Sequence, residues 1–364
     1  MTTSRRRFFS FFPSLLGSVA LLACATTPSR RPTVEAPDLR NVEIESSVFF
    51  AGDAGYASSV VVTEAIARDA RAVPTQSLVV FLGDNIYPRG LPSATSADYS
   101  GSANVIRAQL GALPAAVPAI YVPGNHDWDR ESAGGLMAIR REGTLVRSID
   151  PTRFALLPAD GCPGPAIRDV GRRLRILALD TQWWLHQYVR ADSAVRCPTT
   201  DSASIVTALR TELAAAAKAD RRTLVIAHHP LISGGAHGGH AGAGNPFRRF
   251  LHRTQDVSGT TYRHMIGAFT DAFTATPPFI YASGHDHDLQ VLRGGPAQYL
   301  LVSGAGAADE VRGADSLSNT LFALGDAMGY MRLDVTMDGR WLLRVYVMNG
   351  RDTRLVWWKW LGES

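Results

Sequence analysis

Short apolar runs rich in β-branched and aromatic residues recur along the chain, and between several of them apolar positions return at helical spacing. The runs Val48–Ala51, Leu78–Leu82, Ala119–Val122, Leu174–Leu179, Leu224–Ala227 and Phe279–Ala282 predict strands. Ser58–Ala72 and Ser202–Ala219 predict helices, the second opened by Asp201 as N-cap and filled with Ala and Leu. Beyond Gly284 the pattern turns to strands and turns: Leu289–Leu292, Tyr299–Val302, Tyr330–Val335, Trp341–Val347 and Leu355–Trp360. Asn349-Gly350 reads as the hairpin turn between the last two. Alternating β and α units followed by a β-rich end predict an α/β fold: two packed mixed β-sheets, a β-sandwich, flanked by helices. No internal repeat or low-complexity tract interrupts that order.

The N-terminus reads as an address rather than as fold. Ser4-Arg5-Arg6-Arg7-Phe8 precedes an apolar stretch that runs through Leu15, Val19 and Leu22 to Cys24. A basic start, a short apolar segment and small residues before a break mark a signal peptide. Pro13 and Gly17 interrupt the stretch, leaving it shorter than the ~20 apolar residues of a membrane span. Ser-Arg-Arg-x-Phe resembles the twin-arginine export signal. Leu21-Leu22-Ala23-Cys24 resembles a lipobox, which would make Cys24 a lipidated first residue; an ordinary cleaved signal with an incidental Cys24 is the other reading. The organisation is then a signal peptide over 1–23, a Pro-rich polar tether over 24–46 and one domain over 47–364. Such a protein would be exported, periplasmic or at the cell envelope, and held to a membrane through Cys24.

Composition adds mainly exclusions. At 46% hydrophobic and 19% charged, the 364 residues can build a sizeable core. The formal charge of +4 is dispersed, and three of the arginines fall at positions 5–7, so nothing argues for nucleic acid as a partner. Three cysteines exclude a zinc ribbon or a disulfide-dense scaffold. Cys162 and Cys197 flank the Trp183-Trp184 segment, and in an exported chain they are candidates for a disulfide; two free buried thiols are the alternative.

Candidate chemistry sits where strands end. Five turns share one design, an apolar strand followed by metal-capable side chains: Gly52-Asp53-Ala54-Gly55, Gly83-Asp84-Asn85-Ile86-Tyr87, Gly124-Asn125-His126-Asp127, Ala227-His228-His229-Pro230 and Gly284-His285-Asp286-His287. Singly, a Gly-Asp at a strand end is ordinarily a turn, and Asn-His-Asp ordinarily a satisfied polar loop. Gly-His-x-His says more, because alternate side chains of an extended strand share a side and two imidazoles suit a metal. Five in succession, each after its own strand, predict convergence on one crevice at the carboxyl ends of the strands.

This succession resembles the calcineurin-like metallophosphoesterases and, within them, the purple acid phosphatases. Tyr87 and Gly284-His285-Asp286-His287-x-Leu289-Gln290 look especially like the small tartrate-resistant acid phosphatases of animals, and the likeness covers residues 47–310. It implies the metallophosphoesterase fold and a binuclear metal centre. Asp53, Tyr87 and His287 would hold Fe(III). Asn125, His228 and His285 would hold a divalent metal (Fe, Zn or Mn), and Asp84 would bridge the two. Donor chemistry agrees, since carboxylates and a phenolate suit a hard trivalent ion, and imidazoles with an amide oxygen suit a divalent one.

The implied activity is acid-phosphatase hydrolysis of small phosphate monoesters by a metal-bound hydroxide. His126 would act from outside the ligand set, hydrogen-bonding phosphate or protonating the leaving group, with Asp127 orienting its imidazole. His237, nine residues after His228, is a second candidate for substrate contact, with His240 as a substitute. His229 reads as support for its neighbour, and Trp128 as either a wall for the leaving group or a packed ring. A phosphodiesterase or pyrophosphatase with the same centre is the near alternative, and a non-hydrolytic iron-binding envelope lipoprotein the distant one.

Overall fold

Strand β1 (Ile44–Ala51) has no solvent face, and from Val48 onward both sets of its alternating side chains are apolar. Val48 and Phe50 point one way and Phe49 and Ala51 the other, all essentially inaccessible. A strand of this kind belongs inside a covered sheet. The computed structural model, which describes residues 34–72, 77–238, 254–307 and 311–363, puts it there. Cys24 and the signal segment lie outside the described residues, as does His240. All described residues fall in one compact unit, Val34–Ser364.

The remaining strands are β2 (Ser77–Phe81), β3 (Ala119–Tyr121), β4 (Phe154–Leu156), β5 (Ala166–Val170), β6 (Leu174–Ala178), β7 (Arg222–Ile226), β8 (Ile280–Ser283), β9 (Leu289–Arg293), β10 (Tyr299–Ser303), β11 (Thr320–Leu324), β12 (Gly329–Thr336), β13 (Trp341–Asn349) and β14 (Asp352–Leu361). They form two seven-stranded mixed sheets, ordered β14-β13-β12-β1-β2-β3-β4 and β11-β9-β10-β8-β7-β6-β5. Strands β1 to β4 run parallel, as do β6, β7, β8 and β10, so their carboxyl ends rise on one side of each sheet.

Alternation divides the core. Val48, Phe50, Leu78, Val80 and Ile120 of the first sheet meet Ile176, Leu224, Ile226, Ile280 and Ala282 of the second in one apolar layer. The intervening residues Phe49, Val79, Phe81 and Tyr121, with Leu177, Val225 and Tyr281, join the helices in the other cluster. Those helices are α1 (Val60–Arg71), α2 (Tyr99–Ala112), α3 (Gly135–Ile149), the single turn α4 (Gln182–Leu185), α5 (Ser202–Lys218) and α6 (Thr260–Phe273). Helix α5 buries Ile205, Leu209, Leu213 and Ala216, a stripe at helical spacing. Asp201 caps it in a capping box, its carboxylate accepting from Ser204 N at 2.8 Å.

The hairpin at the C-terminus is one residue out of the expected place. Asn349 pairs with Asp352, so the two-residue loop is Gly350-Arg351, and Gly350 takes φ 64° at its first position. Cys162 and Cys197 are joined in a disulfide across 35 positions of sequence. Among the described residues no helix is long and apolar enough to cross a membrane.

Candidate metal centre

Each of the five turns leaves the carboxyl end of a parallel strand, and backbone hydrogen bonds stitch them together. Gly52 N donates to Ser303 O, Asp53 N to Gly83 O, Tyr87 N to Gly55 O and Gly284 N to His228 O. The approach is close enough that Gly83, at φ 89°, has no room for a side chain: a Cβ there would lie 2.5 Å from His228 Nδ1. Asp53, Asp84 and His285 themselves adopt left-handed backbone at φ 56°, 53° and 69°. Strained non-glycine residues of this kind are held only where the surroundings over-determine them.

The seven residues assigned as metal ligands in the sequence come together as two donor sets. In the first, the Tyr87 hydroxyl stands 3.3 Å from Asp53 Oδ1, 3.1 Å from Asp84 Oδ2 and 3.3 Å from His287 Nε2. In the second, His228 Nε2 lies 3.0 Å from Asn125 Oδ1, 3.3 Å from His285 Nδ1 and 3.5 Å from Asp84 Oδ1. Asp84 therefore turns one carboxylate oxygen to each set. Its Oδ1 also accepts from His126 N at 2.9 Å.

Proton bookkeeping shows that the second set fits a cation. His228 Nδ1 lies 2.8 Å from Leu82 O, and His285 Nε2 lies 2.8 Å from Gln255 O. A carbonyl can only accept, so these nitrogens carry the ring protons. Burial, with His237, His229 and His228 close by, pushes His285 well below the usual histidine range, so its ring stays neutral. His285 Nδ1 then presents a lone pair to His228 Nε2, which also faces the Asn125 and Asp84 oxygens. A positive ion satisfies this arrangement. In the first set the Tyr87 hydroxyl and His287 Nε2 both face Asp53 Oδ1, with Asp84 Oδ2 beside the hydroxyl. A backbone partner on the outward nitrogen also fixes each ring as metal-ligating histidines require.

His229 lies within reach of His228 and His285, and the three form a candidate cluster by distance. Its two nitrogens are taken, however, by Thr181 Oγ1 at 2.8 Å and Gln255 Oε1 at 2.7 Å. It supports its neighbours and does not ligate.

His126 stands at the rim, its ring 4.4 Å from that of Tyr87 and its Nε2 3.9 Å from Asp84 Oδ2. Asp127 does not orient it. The Asp127 carboxylate turns inward and accepts from the backbone N–H groups of Gly124, Asn85 and Ile86 at 2.8, 2.9 and 3.1 Å. The group at His126 Nδ1 is Pro88 O, 2.8 Å away. Burial, and then Glu142, pushes the Asp127 carboxyl well above the usual range, and burial raises Glu142 to about 8. Asn85 lies between the two and donates to both. Asp127 thus braces its own turn against the Gly83–Tyr87 turn, and the role given to it as the partner of the His126 ring passes to a backbone carbonyl.

The Gly-His-x-His turn also departs from the extended strand expected. The N–H groups of Asp286 and Asp288 fold back to the carbonyls two residues earlier, and the two histidines separate, His285 to the second donor set and His287 to the first. His237 packs its ring 4.2 Å from that of His285 and points Nδ1 at Asp256 Oδ1, 3.0 Å away. Trp128 is fully buried and donates to Asp180 Oδ2 at 2.9 Å, so it is a packed ring and not a wall for a ligand. Sequence reasoning missed Glu142, Asp256 and the backbone carbonyls of Pro88, Leu82 and Gln255. Carbonyls have no sequence signal, and the two acids lie far along the chain from what they touch.

No protein-family model matches the chain. No curated protein matches it either. Among solved structures it is similar to GAP50, the anchor in the inner membrane complex of Plasmodium, with TM-score 0.56 and 15% identity over 88% of this chain and 90% of that one. It is also similar to purple acid phosphatase PPD1 from yellow lupin (Lupinus luteus) seeds, with TM-score 0.56 and 16% identity over 85% of this chain. The match spans about half of the lupin chain, 53%. At these identities the likeness establishes the fold, that of the metallophosphoesterases, and leaves chemistry to the site.

Proposed function

We propose that this protein is an exported, metal-dependent phosphatase of the purple acid type that hydrolyses small phosphate monoesters. The observation that carries the reading is Asp84, whose two oxygens face two donor sets of different chemistry. Asp53, Tyr87 and His287 would hold Fe(III) on one side of it, and Asn125, His228 and His285 a divalent ion on the other. When bound, such a pair supplies Lewis acidity to the ester oxygens and to the attacking water. The rest falls to the chain.

His126 exposes Nε2 beside the bridging carboxylate while its Nδ1 is committed to Pro88 O. A protonated His126 can therefore hand a proton from Nε2 to the departing oxygen and keep its orientation. His237, whose ring packs 4.2 Å from that of His285, would contact a bound phosphate. Export and attachment through Cys24 rest on the N-terminal sequence alone.

The test is metal analysis combined with a panel of phosphate monoesters, diesters and pyrophosphate. Two metals per chain, one of them iron, with monoesters turned over fastest, is the expected result. Preference for diesters or pyrophosphate would move the assignment within the fold family. A fully metallated protein without turnover would leave the non-hydrolytic iron-binding envelope lipoprotein; the Plasmodium neighbour is described as an anchor.

A further inference from the structure

The heptapeptide Gly284–Gln290 faces two ways. His285 and His287 turn to the donor sets, while Asp286, Asp288 and Gln290 turn to the segment 233–238 that carries His237. That second face is closely built. Asp286 Oδ1 accepts from His237 N at 2.7 Å, and Asp286 Oδ2 accepts from the Ser233 hydroxyl. Ser233 Oγ in turn accepts from Gly235 N and from Gln290 Nε2, both at 2.9 Å. Gln290 Oε1 accepts from Gly234 N at 2.9 Å, and Gln290 Nε2 reaches Asp288 Oδ1 at 2.8 Å. The N–H groups of residues 234, 235 and 237 are thus all held by this face or by the serine it holds. Gly235 lies so close that a Cβ would come 2.6 Å from Asp288 Oδ2. Asp286 is fully buried, and neither of its oxygens appears in the donor sets.

We propose that Asp286 is a positioning residue: it sets the backbone of His237, and through it the imidazole that flanks the phosphate-ester site, in register with the two ligands on either side of Asp286. The arrangement ties placement of a substrate-facing side chain to the same short segment that presents His285 and His287. The proposal rests on the phosphatase reading above and adds to it a residue that touches neither metal nor substrate.

Asp286→Asn keeps the shape but exchanges one acceptor for a donor. Its amide group then meets either the His237 N–H or the Ser233 turn with the wrong polarity, and the segment loses an anchor. The variant is expected to retain both metals and to lose kcat by about 10–100-fold, the usual range for groups acting through another residue. The double variant Asp286→Asn/His237→Ala should be no slower than His237→Ala alone, because both changes remove the same placed imidazole. Ser233→Ala, which keeps the carboxylate and removes the hydroxyl it holds, should fall the same way, and so should Gly235→Ala, whose Cβ would collide with Asp286 Cγ and displace the carboxylate itself. Binding of inorganic phosphate by calorimetry, in the metal-loaded protein, gives a readout independent of turnover and should weaken in parallel.

Losses that multiply in the double variant, loss of metal from Asp286→Asn, or unchanged kcat and phosphate binding would each overturn the proposal. Wild-type turnover on the ester panel decides the phosphatase reading separately. A wild type that binds phosphate without turnover would sink that reading while the phosphate titration still tests Asp286. Should Asp286→Asn fail to fold, Ser233→Ala carries the same comparison.

Discussion

His126 is the one residue in the third turn whose chemistry is left free for substrate. Asn125 is spent on His228, Asp127 on three backbone amides, and the Asp84 oxygen nearest the chain on His126 N. The imidazole itself rests on Tyr87 with a single backbone partner. His126→Ala should therefore keep both metals and lose kcat by about 10²–10⁴-fold, the usual contribution of a general acid. The loss should shrink for aryl phosphates, whose leaving oxygen needs no proton; equal losses on aryl and alkyl esters would reduce His126 to a positioning role. Tyr87 invites a different measurement. A free phenol ionises near pH ~10, so a phenolate at neutral pH requires a strongly electron-withdrawing partner. Iron-loaded, oxidised protein should absorb visible light through charge transfer from Tyr87 to Fe(III), and Tyr87→Phe should abolish the band. A colourless oxidised iron protein would remove the purple-phosphatase assignment. At this scale the convergence of the seven polar side chains was legible in the sequence because each follows a strand and a turn. The partner of His126 was not, since adjacency in sequence says nothing about which way a buried carboxylate points.

Single elements show the same division. Apolar runs marked β2 and β7 to within two residues and the second half of β1, and Asp201 marked the start of α5, because those signals are local. Of the segment after β6 the sequence showed only Trp183-Trp184 flanked by two cysteines. Structure shows it organised by Asp180, whose Oδ1 accepts from Trp183 N and whose Oδ2 accepts from Trp128 Nε1, both at 2.9 Å. Burial raises this carboxyl from 3.8 to about 7, against the pull of those donors. A raised folded-state value means that folded protein holds the proton more tightly than unfolded chain does. The stability linked to that proton is complete below about pH 4 and is lost as pH climbs through about 7. Asp180→Asn mimics the protonated acid at every pH. The stability of the variant relative to wild type should rise between pH 4 and 8 by an amount on the order of 4 kcal/mol, using about 1.4 kcal/mol per pKa unit. Calorimetric unfolding of both proteins across that range checks it, and a constant difference would show that Asp180 titrates normally.

At the scale of the molecule, the site is a seam. Asp53, Asp84, Tyr87 and Asn125 follow strands of the first sheet, and His228, His285 and His287 follow strands of the second. Each donor set draws on both: Asp53, Asp84 and Tyr87 meet His287, and Asn125 and Asp84 meet His228 and His285. The two-sheet architecture was legible because strands of this kind, apolar on both faces, need a cover on each. Which strands lie side by side was not, since β1 pairs with β12 across nearly the whole chain. Cations bound at such a seam would hold the sheets together at the end where the apolar layer gives way to polar turns, and would need the folded chain to bring their donors together. Anything that binds the native state alone stabilises it by mass action, about 4 kcal/mol at a free concentration near 1,000 times Kd. Chelation of the purified protein should therefore lower Tm, and readdition of iron with a divalent ion should restore it. Asp84→Asn, which weakens both donor sets at once, should start from the lower Tm and respond little to either treatment. Asp201→Ala makes the control: loss of its cap costs about 1 kcal/mol and breaks bonds to Ser204 alone, so its response to chelation should match that of wild type. An unchanged Tm on verified metal removal would mean that the two sheets need no ion to stay joined, and that the seam is held by its backbone hydrogen bonds alone.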